Sequence, residues 1–311
     1  MKKRIHQISK FVKNPIESQN KTFLYLIKTA RDTDFGKEHQ FKNKRNYEDF
    51  KKQIPVRDYE NFEDYISKTR AGAKNILWPG KVKWFAKSSG TTNSRSKFIP
   101  VTQESMLNCH FKAGKDMLSV YANNSPNTQL FNGKGLILGG SLTKSKDGTS
   151  YEGDLSAILL HEFPFWVNYH RSPDIKTALL SDWEEKLDRI AKQIVKENIT
   201  SLSGVPSWML LLLKKVLTLS GKDNLSEVWP NLELYFHGGI NFEPYRKQFQ
   251  LLIPSKKMNY MEVYNASEGF IALQDKYNSK DLLLMLNYGI FYEFIPFTDF
   301  KKGEYNTLTL K

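Results

Sequence analysis

Three short stretches of this chain carry the residue types that chemistry on an anionic ligand requires. The first is Lys87-Ser88-Ser89-Gly90-Thr91-Thr92-Asn93-Ser94-Arg95-Ser96-Lys97, where hydroxyls, a glycine and cations crowd between two apolar runs. Hydroxyls and unpaired backbone N–H groups surround phosphate oxygens well, and Lys or Arg offsets the charge. A polar hairpin with no ligand has the same composition, so this stretch alone leaves both readings open. The second is Glu262-Val263-Tyr264-Asn265-Ala266-Ser267-Glu268-Gly269, expected at the C-terminal end of a strand, where open α/β sheets bind ligands. A carboxylate there holds Mg²⁺, which keeps several waters and takes its other oxygens from phosphate. Ser267 is placed to donate to a phosphate oxygen. The plainer alternative is that Tyr264 packs and Glu268 starts a helix. The third stretch is His237-Gly238-Gly239-Ile240, also after a strand. Paired glycines let a flat ring or a phosphate come close to the backbone. A plain turn is the commoner use of such a pair, and His237 is expected to be a satisfied polar residue rather than a ligand.

Other catalytic signatures are missing from the sequence. It contains no G-x-x-x-x-G-K-[ST] phosphate loop and no H-E-x-x-H helix. Nor does it contain a G-x-S-x-G elbow, Cys/His zinc spacing or an RRM-type aromatic signature.

The elements that must position these stretches follow from apolar periodicity. Residues 1–70 are expected to be helical, with Phe23, Leu24, Leu26, Ile27 and Ala30 on one face and Gly36 closing the segment. A second amphipathic helix begins near Asp58. Residues 82–86 and 97–101 are expected strands on either side of the hydroxyl-rich loop, and Thr102 caps a helix reaching Tyr121. Strand and helix then alternate. Residues 135–138 form a strand, and Ser181-Asp182-Trp183-Glu184 is a capping box opening a helix to about Asn198. Residues 200–204 lead into a helix begun by Pro206. Residues 232–236 are a strand, 244–252 a helix and 258–263 a strand, and residues 282–286, 288–294 and 305–310 suggest a closing antiparallel set. The alternation points to an α/β architecture with mixed sheets flanked by helices.

The bulk composition excludes several classes. An aromatic share of 13% in 311 residues argues against a disordered chain. A single cysteine, Cys109, excludes an intramolecular disulfide, fits a reducing compartment and is expected as a small core residue in a helix. No apolar run reaches the roughly 20 residues of a bilayer span, and the basic N-terminus lacks an apolar core, so a cytoplasmic location is expected. Much of the excess behind the formal charge of +13 sits before residue 60 and in scattered pairs such as Lys214-Lys215, Lys256-Lys257 and Lys301-Lys302, a pattern expected of a solvated face rather than of a nucleic-acid surface.

The order of the three stretches resembles the adenylate-forming superfamily of firefly luciferase and the acyl-CoA synthetases. More closely, the chain resembles the auxin-responsive acyl-acid-amido synthetases and their bacterial relatives. The closer resemblance rests on Phe85-Ala86-Lys87-Ser88-Ser89-Gly90-Thr91-Thr92, Ser203-Gly204-Val205-Pro206-Ser207-Trp208 and Gly238-Gly239. Tyr264-Asn265-Ala266-Ser267-Glu268-Gly269 and Thr33-Asp34-Phe35-Gly36-Lys37 complete it. It implies the large N-terminal domain of the adenylate-forming fold, with a helical segment over 1–75 packing on an ATP- and acyl-binding α/β domain over 76–311. Ser88, Ser89, Gly90, Thr91, Thr92 and Lys97 would form the phosphate loop, with Gly238 and Gly239 along the adenine. Tyr264 would stack on the adenine, Ser267 would contact the α-phosphate and Glu268 would hold Mg²⁺. Lys97 and Glu268 are thereby the implied catalytic residues. Asn93 stands where luciferase-like members have glycine, and the proline before their lysine is absent, which weakens the superfamily match but not the closer one.

The implied reaction uses ATP and Mg²⁺ to turn a small carboxylic acid into an acyl-adenylate and passes the acyl group to an amino acid. The acid pocket is expected among residues 103–121, the Gly139-Gly140-Ser141 loop and the helix after Pro206. The family's Tyr-Arg-x-Gly-Asp-like segment and small C-terminal lid would follow Lys311, so a monomeric fragment of a longer enzyme, with little turnover alone, is expected. Three alternatives stay open at this level: a coenzyme A thioester as product, a non-catalytic nucleotide-binding module, and a basic nucleic-acid-binding protein.

Overall fold

The helices expected over residues 1–70 form as Lys2–Lys13, Pro15–Ala30, Asp34–Glu38, Tyr47–Gln53 and Glu63–Arg70. The structure, a computed structural model, describes residues 1–44, 46–88, 96–145 and 148–310. Its chain divides into two compact units, one of Met1–Ser119, Lys146–Ser150 and Met285–Lys311, the other of Val120–Ser145 and Tyr151–Leu284.

In the first unit Phe23, Ile27 and Ala30 turn inward and meet Phe41, with Phe35, Tyr47, Phe50 and Phe291 packed around them. Leu24 does not share that face. One residue is a 100° rotation on a helix, and Leu24 is exposed. Gly36 does not close the segment either. It lies inside Asp34–Glu38, whose cap is Thr33, and a Cβ on it would fall 2.1 Å from the Ala30 carbonyl oxygen. Its role is to let two helices meet at a corner. Strands β1 (Trp84–Ser88) and β2 (Lys97–Val101) pair antiparallel, from Trp84 opposite Val101 to Ser88 opposite Lys97. Pairing to Val101 starts β1 two residues later than apolar character alone suggests. Thr102 accepts from the Ser105 N–H at 3.0 Å and opens the long helix, which passes through a wide turn at Met106–His110 before Phe111–Asn124. Cys109 is buried in that turn.

Two buried polar groups tie the end of the chain to these helices. Asp116, 0% exposed, accepts from Arg4 Nε at 2.5 Å, Arg4 Nη2 at 2.6 Å and Tyr288 Oη at 2.7 Å. Gln19 donates to the carbonyls of Leu286 and Ile290 and accepts from the Tyr292 N–H. Gln19 thus satisfies backbone groups that a ladder would otherwise use, so residues 288–294 do not form the expected strand; only a bridge between Phe294 and Leu308 remains. Removing one partner from a buried charged cluster leaves the rest unpaired. Asp116→Ala is therefore expected to lower unfolding free energy by about 3 kcal/mol, read from the urea midpoint.

The second unit holds a mixed sheet in the order β11-β10-β9-β8-β7-β3-β6. Its strands are β3 (Lys134–Ile137), β6 (Arg171–Ser172), β7 (Ile199–Gly204), β8 (Leu234–His237), β9 (Asn259–Ala266), β10 (Gly269–Leu273) and β11 (Leu283–Leu284). Strands β6, β3, β7, β8 and β9 run parallel, while β10 and β11 are antiparallel additions. A separate hairpin joins β4 (Leu142–Lys144) and β5 (Tyr151–Gly153). Helices Trp183–Ile194 and Pro206–Ser220 bury Leu187, Ile190, Ile194, Met209, Leu212 and Leu213 against β3 and β7, whose Leu136 and Leu202 complete that core. The first of these helices is capped by Asp182, which accepts from the Glu185 N–H, and not by Ser181. No helix among the described residues is long and apolar enough to cross a membrane.

Candidate functional site

The parallel strands of the second unit end along one edge, and the register fixes which residues meet there. Gly204, the last residue of β7, lies beside His237, the last of β8, and His237 lies beside Glu262 of β9. Gly238-Gly239 therefore leaves the sheet alongside Val263 and Tyr264. This is the carboxyl edge at which open α/β sheets receive ligands. A Cβ on Gly238 would fall 2.2 Å from the Val263 carbonyl oxygen, and Gly239 has φ +82°. Gly238 has no room for a side chain and Gly239 takes a left-handed backbone that favours glycine, so the turn itself presents backbone. Tyr264 is 56% exposed, so its ring is open to a ligand.

Beyond Tyr264, β9 continues to Ala266 and turns back at Ser267-Glu268, with Gly269 paired to Ala266. Glu268 therefore tips a two-residue hairpin and does not start a helix. Its carboxylate is exposed. Among the described residues no group of three or more His, Cys, Asp or Glu converges as metal ligands.

His237 is more constrained than its sequence context suggests. It is 2% exposed and stacked on Phe242 at 4.0 Å between ring centroids, and its Nδ1 has no hydrogen-bond partner among the described residues. The expectation of a satisfied polar residue is corrected by that unpaired nitrogen. Burial, helped by Arg246, holds its pKa down to about 4 from the ordinary 6.5, so the folded ring is neutral. The unfolded chain binds the extra proton between these two values. Stability is thus full above pH 6.5 and is lost as pH falls towards 4, by roughly 3 kcal/mol. A His237→Phe variant is expected to lose that slope in urea titrations at pH 4.5 and 7.

Two side chains that brace this edge escaped the sequence reading. Tyr235, fully buried and stacked on Phe249, donates through Oη to the Gly204 carbonyl at 3.0 Å. Lys186 donates to the carbonyls of Gly139 and Gly140, which follow β3. Lys186 did leave a sequence signal. It stands among Trp183, Leu187, Ile190 and Ile194 on the apolar stripe of an amphipathic helix, where a lysine is out of place.

In the first unit, Ser88 ends β1 and Lys97 starts β2 directly opposite. Ser89, Gly90, Thr91 and Thr92 lie outside the described residues. Lys97 Nζ is 3.1 Å from a Glu60 carboxylate oxygen and 5.0 Å from the Tyr59 ring centroid. A solvent-facing pair of this kind is weak, so the ammonium can exchange Glu60 for another anion.

A family model described as the GH3 family N-terminal domain matches residues 4–258. Indole-3-acetic acid-amido synthetase GH3.5 of Arabidopsis thaliana is 24% identical over 106 residues, 34% of this chain and 17% of that protein. Among solved structures, the AtGH3.15 acyl acid amido synthetase in complex with 2,4-DB is similar with a TM-score of 0.74 at 14% identity, covering 90% of this chain and 58% of that one. A 2-hydroxyisobutyryl-CoA ligase in complex with 2-HIB-AMP and CoA is similar at a TM-score of 0.50 and 12% identity, covering 87% of this chain and 54% of that one. The chain thus spans 17% of the curated relative and 58% of the first solved structure. Those likenesses give the fold: an α/β domain of the adenylate-forming type, with mixed sheet flanked by helices.

Proposed function

The chain belongs to the GH3 family, and from that membership we propose that it takes part in ATP-dependent activation of a carboxylic acid, followed by acyl transfer to an amino acid. The observation that carries this reading is the carboxyl edge of the sheet, where the side-chain-free turn Gly238-Gly239 lies against β9 and the ring of Tyr264 is exposed. In the proposed first step a carboxylate oxygen attacks the α-phosphorus of ATP, and the bond to the pyrophosphate leaving group breaks. In the second, an amine nitrogen attacks the acyl carbon, AMP departs with its bonding electrons, and the amine's surplus proton passes to water. Neither step requires a protein nucleophile. Holding reactants in line and matching the charge developing at phosphorus supply the rate.

Each residue has an assigned part. Gly238 and Gly239 line the adenine and Tyr264 stacks on it. Ser267 contacts the α-phosphate. Glu268 holds Mg²⁺, whose contribution is to withdraw charge from the phosphate oxygens. Ser88, Ser89, Gly90, Thr91, Thr92 and Lys97 are proposed phosphate ligands, Lys97 giving up Glu60 when it binds.

The test is acid-dependent release of pyrophosphate from ATP, with indole-3-acetate, benzoate and hexanoate as probe acids. Mass spectrometry then identifies the product after addition of either an amino-acid mixture or coenzyme A. An amide supports the proposal, and a thioester alone redirects it to the ligase reading. Because little turnover is expected, release is read in a single turnover with protein in excess over ATP; none in that assay from folded protein removes the proposal.

A further inference from the structure

Helix Trp183–Ile194 turns Leu187, Ile190, Ala191 and Ile194 into the core of the second unit, and Lys186 goes inward with them. Only 1% of this lysine is exposed. Burying an ammonium costs several kcal/mol, so its surroundings must return that cost in specific bonds. Both of its hydrogen bonds go to backbone carbonyls, Gly139 O at 2.9 Å and Gly140 O at 2.6 Å. Asp154 acts on it only through space, and burial still holds its pKa below the ordinary lysine value.

The same loop is gripped through its N–H groups. Gly140 N donates to Ser156 Oγ at 3.0 Å, and Ser141 N donates to Asp154 Oδ2 at 2.8 Å. A Cβ on Gly140 would fall 2.0 Å from that carboxylate oxygen, so the acid is packed directly against the loop. Two carbonyls and two amides of Gly139-Gly140-Ser141 are thus bonded into the unit. The loop follows β3, neighbour to β7, and so belongs to the edge that also carries Gly204 and Gly238.

The electrostatic consequence is specific. A loop left to itself would offer its carbonyl oxygens, which carry partial negative charge, to anything seated at the edge. Lys186 draws two of them inward by donating to both. The Asp154 carboxylate against the same loop offsets the lysine charge, so what an approaching carboxylate gains is the removal of two carbonyl dipoles from its path. A neutral ligand, or a nucleotide held farther along the edge, is affected much less.

We propose that Lys186 is a positioning residue for the acid substrate: it turns the carbonyls of Gly139 and Gly140 away from the edge of the sheet so that a carboxylate can be received there. This rests on the adenylate-forming reading above, and the experiment separates the two. Acid-dependent pyrophosphate release is measured for the unmodified protein, Lys186→Met and Ser156→Ala, with indole-3-acetate, benzoate and hexanoate as probes, alongside ATP titrations and thermal melts.

Lys186→Met is expected to raise KM for the acid by about 10-fold or more while KM for ATP stays within about twofold, a split that simple loss of folded protein would not produce. Ser156→Ala removes only the acceptor of the Gly140 N–H. It is expected to raise the acid KM by about threefold and leave KM for ATP within about twofold, with a modestly lowered melt because the Gly140 N–H loses its acceptor. It decides the matter if Lys186→Met does not fold. An unchanged acid KM in the folded Met variant overturns the proposal, as does an equal rise in both KM values in the Ala variant. If the unmodified protein binds ATP yet releases no acid-dependent pyrophosphate even in a single turnover with protein in excess over ATP, the enzyme reading itself has failed, and this role with it.

Discussion

Glu268→Gln is expected to reduce acid-dependent pyrophosphate release by about 100-fold or more and to leave the thermal midpoint unchanged. The two halves of this expectation have separate causes. Magnesium prefers charged oxygen ligands, and an amide at the same place lacks the charge that competes with water. The side chain stands at the exposed tip of the turn between Ala266 and Gly269, where backbone pairing, not the carboxylate, fixes the chain. Exposed substitutions away from buried features usually change stability by no more than about 0.5 kcal/mol. Undiminished pyrophosphate release would remove Glu268 from the chemistry. A lost midpoint would instead make it a structural residue.

Gly238→Ala is expected to act the opposite way, through the fold first. The new methyl would lie 2.2 Å from the Val263 carbonyl oxygen, well inside contact distance, and that atom belongs to backbone. Relief requires β8 and β9 to separate where His237 pairs with Glu262. A loss of about 3 kcal/mol or more in unfolding free energy is expected, together with loss of ATP binding. Gly239→Ala is the internal comparison. Its Cβ would meet Val205 Cγ2 at an unremarkable 3.4 Å, so the cost is the left-handed backbone at φ +82°, about 1–2 kcal/mol. Urea unfolding of the two variants checks the ranking. Equal stability of Gly238→Ala and its parent would mean that the turn does not lie against β9.

What the sequence by itself determined is local or ordered along the chain. Thr102 and Pro206 mark helix starts because their effects are exerted within one turn, and the structure places both there. The run of motifs from Thr33 to Gly269 pointed to the family because order along a chain survives when overall identity does not. Even local signals failed where two neighbours compete. Ser181 and Asp182 both suit a cap, and the backbone path selects Asp182.

The tertiary structure decided what depends on distant partners. Glu268 tips a hairpin because β10 returns to pair with β9, a fact outside the motif's own residues. The Asp116 cluster joins groups 112 and 172 positions apart, and Gln19 bonds to a segment more than 260 residues away. The neutral His237 and the inward Lys186 follow from which stripes meet in the core. Periodicity states that a residue faces inward. Only packing states what it finds there, and that partner sets whether a buried charge is a liability or a grip on the loop.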